Sequence, residues 1–171
     1  MANNLSKYAV ITVTPTLDTS AYADDDVFFN STEIPNAVIG NGGASKLIGI
    51  TILNCDDVAH DIDIVFMQNS TNLGTINDAV GSGSAWTNIL AKAAGVLGVV
   101  KVDWSLSSID FVNNLVFTTA NANPSAKSEG LPILLQAESD SDSVYMAAVS
   151  RGGTPTTAAT DYQIMLHIER A

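Results

Sequence analysis

Thr160-Asp161-Tyr162-Gln163-Ile164-Met165-Leu166-His167-Ile168-Glu169 decides how this chain folds. Tyr162, Ile164, Leu166 and Ile168 occupy every second position, with Gln163, Met165, His167 and Glu169 between them. Successive side chains of a strand point to opposite faces. The stretch is therefore a strand with one face toward a core and the other toward water.

The same signal recurs along the chain. Residues 8–14 (YAVITVT) are β-branched and end at Pro15, and residues 27–30 form a short aromatic run. Residues 46–54 (KLIGITILN) place Ile48, Ile50 and Ile52 on one face. Residues 61–68 (DIDIVFMQ) do the same with Ile62, Ile64 and Phe66, which turns Asp61 and Asp63 toward solvent. Residues 96–102, 131–137 and 143–150 also read as strands. Between them stand Asn41-Gly42-Gly43, Asp56-Asp57, Gly81-Ser82-Gly83, residues 121–124 and Gly152-Gly153, which are turn signals. Many strands at short spacing with such punctuation predict an all-β sandwich or barrel. One segment departs from the pattern: residues 84–94 (SAWTNILAKAA) put Trp86, Ile89 and Leu90 at helical spacing behind Ser84 as N-cap, and predict a single short helix.

The chain has 171 residues, 46% of them hydrophobic and 15% charged, enough for one domain with a real core. No linker or repeat divides it, so residues 8–171 are read as one β-sandwich domain and residues 1–7 as an N-terminal arm. Residues 69–84 and 121–130 are the expected long surface loops. Seven Lys and Arg against eighteen Asp and Glu give a net charge of −11. Such a surface repels phosphate, so neither direct nucleic-acid binding nor an anionic membrane is an expected partner. No apolar run approaches the ~20 residues of a membrane helix, and the first eight residues carry no signal-peptide core. Cys55 is the only cysteine, which excludes an intrachain disulfide and a cysteine-based zinc site; it reads as a small apolar residue near a strand end.

The chemistry-bearing residues cluster in Asp18-Thr19-Ser20-Ala21-Tyr22-Ala23-Asp24-Asp25-Asp26-Val27. Calcium takes several carboxylate oxygens, but an EF-hand loop needs Gly at its sixth position and Glu at its twelfth. Counted from Asp18, those positions hold Ala23 and Phe29. The alternative is a structural loop in which Asp18, Thr19, Ser20 and Asp26 bond local backbone and Tyr22 anchors the loop to the sandwich. The second acidic run, Glu138-Ser139-Asp140-Ser141-Asp142, has the length of a hairpin turn. His60 and His167 stand in no HExxH or H-x-H spacing, and neither G-x-S-x-G nor a phosphate-binding GK[ST] loop occurs. No metal, cofactor or catalytic group is expected. A hydrolase built on dispersed carboxylates and a carbohydrate-binding sandwich are the rival readings, the second weakened by an aromatic content of 6%.

The order D-T-S-x-Y-x-x-x-D-V over residues 18–27 resembles a motif of tailed-bacteriophage virion structural proteins of the capsid decoration, or cement, type. Thr32-Glu33-Ile34-Pro35-Asn36-Ala37 follows it, and Ser150-Arg151-Gly152-Gly153-Thr154-Pro155-Thr156 resembles the family's S-R-G-x-P-T turn. Asp25 departs from the pattern where the family carries Gly, and Gly152-Gly153 is one residue longer. The resemblance implies a jelly-roll-like β-sandwich on the outside of a phage head, assembled in the host cytoplasm, with the major capsid protein as partner and a homotrimer as the assembled form. Its mechanism would be binding, not turnover, and Asn3, Asn4 and Lys7 of the arm are the expected capsid contacts. Head-fibre, neck or tail positions are the alternatives within a virion.

Overall fold

The structure, a computed structural model, describes residues 6–82, 95–111, 113–119, 131–152 and 157–171. The helix expected over residues 84–94 and the loop expected over 121–130 lie outside the described residues.

Among the described residues ten strands follow in order: β1 (Tyr8–Val13), β2 (Val27–Ile34), β3 (Ala44–Asn54), β4 (Ile62–Met67), β5 (Val96–Val102), β6 (Ser108–Asp110), β7 (Leu115–Thr118), β8 (Ile133–Gln136), β9 (Val144–Ser150) and β10 (Tyr162–Arg170). A one-turn helix, α1 (Trp104–Ser107), sits between β5 and β6, its N-terminus capped by the Asp103 carboxylate. One sheet runs β1-β10-β3-β7-β6, with β8 also paired to β3; the other runs β2-β9-β4-β5. The length of β3 explains the branch. Its first half, Ala44–Leu47, pairs with β8, and its second half, Thr51–Asn54, pairs with β7.

All pairings between these strands are antiparallel, and four of them are nested: β1 with β10, β2 with β9, β3 with β8, β4 with β5. The nested pairs alternate between the two sheets. A ribbon folded back on itself and then rolled gives this order, which is the jelly roll. β6 and β7 extend one sheet as an added hairpin.

The core lies between the sheets. Tyr162, Ile164, Leu166 and Ile168 of β10 are all buried there, as are Ile62, Ile64 and Phe66 of β4. Burying each such side chain is worth about 1.5–3 kcal/mol. An aromatic chain crosses this core: Tyr22 to Phe28 at 4.9 Å between ring centroids, Phe28 to Tyr162 at 5.1 Å, Tyr162 to Trp104 at 6.2 Å, and Trp104 to Phe117 at 5.8 Å. Gly98 of β5 lies where a Cβ would come within 2.9 Å of Ile133 of β8, so glycine lets the two sheets close at that corner.

Three expectations are corrected. Ile48 does not share a face with Ile50 and Ile52; it is exposed, while Leu47 is buried. In the pairing of β3 with β10, Leu47 faces Ile168 and Gly49 faces His167, which leaves Ile48 as an extra residue. This bulge reverses the side-chain phase at that point. Asp61 and Asp63 are not simply solvated: Asp61 accepts the Trp104 N–H at 2.9 Å, and Asp63 pairs with Arg151. Cys55, one residue past β3, is exposed and not packed as an apolar residue.

Candidate functional site

The acidic stretch 18–27 forms the corner that carries the chain from β1 into β2. Asp18 Oδ1 accepts the Ser20 N–H at 2.7 Å and the Asn77 side-chain amide at 3.1 Å. These bonds hold its carboxyl below the usual range, the Ser20 backbone bond contributing most. The Asp18 N–H donates to the Tyr22 hydroxyl at 2.6 Å, and that hydroxyl donates to the Phe28 carbonyl at 3.1 Å. Tyr22 is 1% exposed. Burial pushes its hydroxyl up to about 12, so it remains a donor throughout the physiological range. Asp26 Oδ2 accepts the Ala23 N–H at 2.7 Å. Among the described residues, no hydrogen bond from the Thr19 side chain enters this network.

The loop is bound from the far end of the chain. The Asp25 N–H donates to the Ser150 carbonyl at 3.1 Å, and the Ser150 N–H donates to the Asp26 carbonyl at 2.8 Å. Ser150 Oγ donates to the Ala23 carbonyl at 2.7 Å, and its lone pairs then accept from His60 Nε2 at 3.0 Å. That assignment makes His60 a neutral Nε2–H tautomer. Burial moves its pKa down to about 4, consistent with a ring kept uncharged. The pair is a Ser–His contact without the access a nucleophile needs, because Ser150 is fully buried and its proton is engaged by Ala23.

Arg151 completes the corner. Its Nε donates to Asp63 at 2.8 Å, its Nη1 pairs with Asp25, and the Gly152 N–H donates to Asp24 Oδ1 at 3.1 Å. Burial alone would lower the guanidinium pKa, but the Asp63 hydrogen bond and the charges of Asp63, Asp25 and Asp24 raise it. Asp25 has φ +67°, a left-handed conformation that favours glycine and that Asp tolerates better than most residues. Each carboxylate of the loop thus answers a different donor, and among the described residues no three His, Cys, Asp or Glu side chains converge to hold a metal.

Residues 69–82 lie over the outer face of the four-stranded sheet. The Val27 N–H donates to the Asp78 carbonyl at 3.0 Å, and the Val80 N–H donates to the Asp25 carbonyl at 2.9 Å. Leu73 packs there with Val27, Met67, Ala147 and Val149 in a second apolar cluster. Beside it is a hollow of about 650 Å³ walled by Val65, Val80, Val96, Val99 and Val149, with Asp25, Asp63 and Arg151 at its rim. Its polar groups are already bonded to one another, so it offers a ligand shape more than recognition.

Of the remaining sequence-predicted residues, the run 138–142 is a turn whose backbone carbonyls accept Val38, Asn41 and Gly42. His167 Nε2 contacts the Thr51 hydroxyl at 3.1 Å. Lys7 is tied to β10: its carbonyl accepts the Arg170 N–H at 2.7 Å and its ammonium lies 3.2 Å from Glu169. Asn3 and Asn4 lie outside the described residues. Ser150, His60 and Arg151 organise the corner, yet no local pattern marks them; the S-R-G turn was the one pointer to two of them.

No protein-family model and no curated protein matches the chain. Among solved structures, a chain of Desmodium yellow mottle tymovirus is similar at 11% identity, covering 98% of this chain and 82% of that one, with a TM-score of 0.26. A TM-score so low bears on neither fold nor function, and the jelly roll rests on the strand order itself.

Proposed function

We propose that this chain is a virion structural protein of the tailed-phage decoration type, which binds the outside of the head and cements contacts between capsomers. The supporting observation is the meeting of two distant motifs. The D-T-S-x-Y-x-x-x-D-V stretch and the Ser150-Arg151-Gly152 turn, which carry the resemblance from opposite ends of the chain, form one hydrogen-bonded corner. Motifs used in this way preserve a scaffold. The jelly roll is used by capsid proteins, lectins and cupins alike, so fold alone does not select among them.

A cement protein works by burying surface on more than one capsomer, so that opening the shell also breaks those contacts. Repeated copies on a symmetric shell multiply modest affinities through effective concentration. The acidic surface keeps finished particles apart. The test is co-sedimentation of purified protein with undecorated phage heads. Saturable binding at a fixed ratio to the major capsid protein is the expected result. Absence of binding to heads, with binding instead to isolated tails or necks, would move the protein to another part of the virion.

A further inference from the structure

We infer that β1 is a self-pairing edge through which two copies of this chain join into one continuous sheet about a two-fold axis. The hydrogen-bond phase of β1 sets this out. The Arg170 N–H donates to the Lys7 carbonyl, and Tyr8 lies opposite Glu169. Bonded pairs alternate along an antiparallel ladder, so Ala9, Ile11 and Val13 also bond β10. The other side of β10 agrees: the Cys55 N–H donates to Asp161, and the Ala171 N–H donates to Ala44. Tyr8, Val10 and Thr12 therefore aim their N–H and C=O groups at the open edge, where the described residues supply no partner strand.

The other sheet edges carry protection that β1 lacks. β2 is covered by bridges from Asp26 to Ala79 and from Val27 to Ile76. β5 contains Lys101, and its pairing with β4 is bulged beside Met67. β6 is only three residues long, and β8, which pairs with β3 alone, is only four. β1 holds no charge and no proline over Tyr8–Val13, and its pairing with β10 is unbroken.

The occupant follows from symmetry. The open residues are centred on Val10, so an antiparallel copy meets them as Tyr8 opposite Thr12, Val10 opposite Val10, and Thr12 opposite Tyr8. Every open N–H then finds an open C=O, and no like charges face each other. On the outer face, Tyr8 and Val10 are 60% and 58% exposed, and Ile48 and Leu134 are exposed on the same sheet. Pairing extends this apolar surface across the junction. The two-fold closes with two copies, in place of the threefold expected from the resemblance, and it stands independently of the virion reading.

Analytical ultracentrifugation of the full chain at high ionic strength, where the −11 charge of each copy is screened, tests this. The expected mass is twice 17.9 kDa. Val10→Lys places like charges opposite each other at the axis and Val10→Pro removes an N–H that the internal ladder does not use; both should give the single-chain mass. Hydrogen exchange supplies a second readout. The amides of Tyr8, Val10 and Thr12 should be protected in the wild type and fast in Val10→Lys, while those of Ala9, Ile11 and Val13 stay protected in both. A single-chain or threefold mass for the wild type would overturn the inference, as would a dimer that persists in both variants.

Discussion

The Tyr22 hydroxyl donates to the Phe28 carbonyl at 3.1 Å while accepting the Asp18 N–H at 2.6 Å, so one phenol ties the start of the acidic loop to the strand that follows it. Tyr22→Phe keeps the ring contact with Phe28 and removes both bonds, leaving a buried carbonyl and an amide without their partner. The expected loss is about 1–3 kcal/mol, read as a lower urea midpoint with an unchanged slope.

His60 gives the fold an acid sensitivity of defined sign. Its folded pKa of about 4 lies below the ordinary 6.5, so the unfolded chain binds the proton more readily. The stabilisation is complete above pH 6.5 and is lost as pH falls toward 4. The difference corresponds to about 2–4 kcal/mol, at ~1.4 kcal/mol for each tenfold change in proton affinity. Urea midpoints of wild type and His60→Gln should therefore converge between pH 7.5 and 4.5, whatever the carboxylates do in both. A constant gap would remove His60 as the source.

Asp25 combines an unusual backbone with an ion pair. Asp25→Ala loses Arg151 and keeps the positive φ, whereas Asp25→Gly loses the pair and gains conformational ease. The glycine variant should be the more stable of the two by about 1 kcal/mol in thermal melts. Equal stability would mean that the left-handed conformation is not maintained in solution.

Arg151→Ala leaves the Asp63 side chain, only 15% exposed, without its cation. The expected loss is about 1–2 kcal/mol. Arg151→Lys should recover only part of it, because an ammonium cannot serve Asp63 and Asp25 with a fork. Molar salt should narrow the gap between wild type and Arg151→Ala.

The strands were legible in the sequence wherever one face is buried and the other wet, as in β10 and β4. Ile48 misled because a bulge is set by pairing with His167 and Ile168, which are distant in the chain. The hairpin of β6 and β7 is too short to show a period. Leu73, Ile76 and Val80 stand at i, i+3 and i+7, a helical spacing that misleads, because they pack from a loop onto the outer face of a sheet. The acidic loop was visible as a loop, but its binding partners were not. Ser150 and Arg151 reach it from more than a hundred residues away, and no local pattern encodes such a meeting. His60 looked like a turn residue among acids; its burial follows from Phe28, which packs at 5.3 Å, and from Ser150.

The most direct measurement of the proposed role is an electron-microscopy reconstruction of undecorated phage heads mixed with the purified protein. Ordered jelly-roll density on the outer surface, bridging neighbouring capsomers, is the expected result. Shells that saturating protein leaves bare would contradict a cement function.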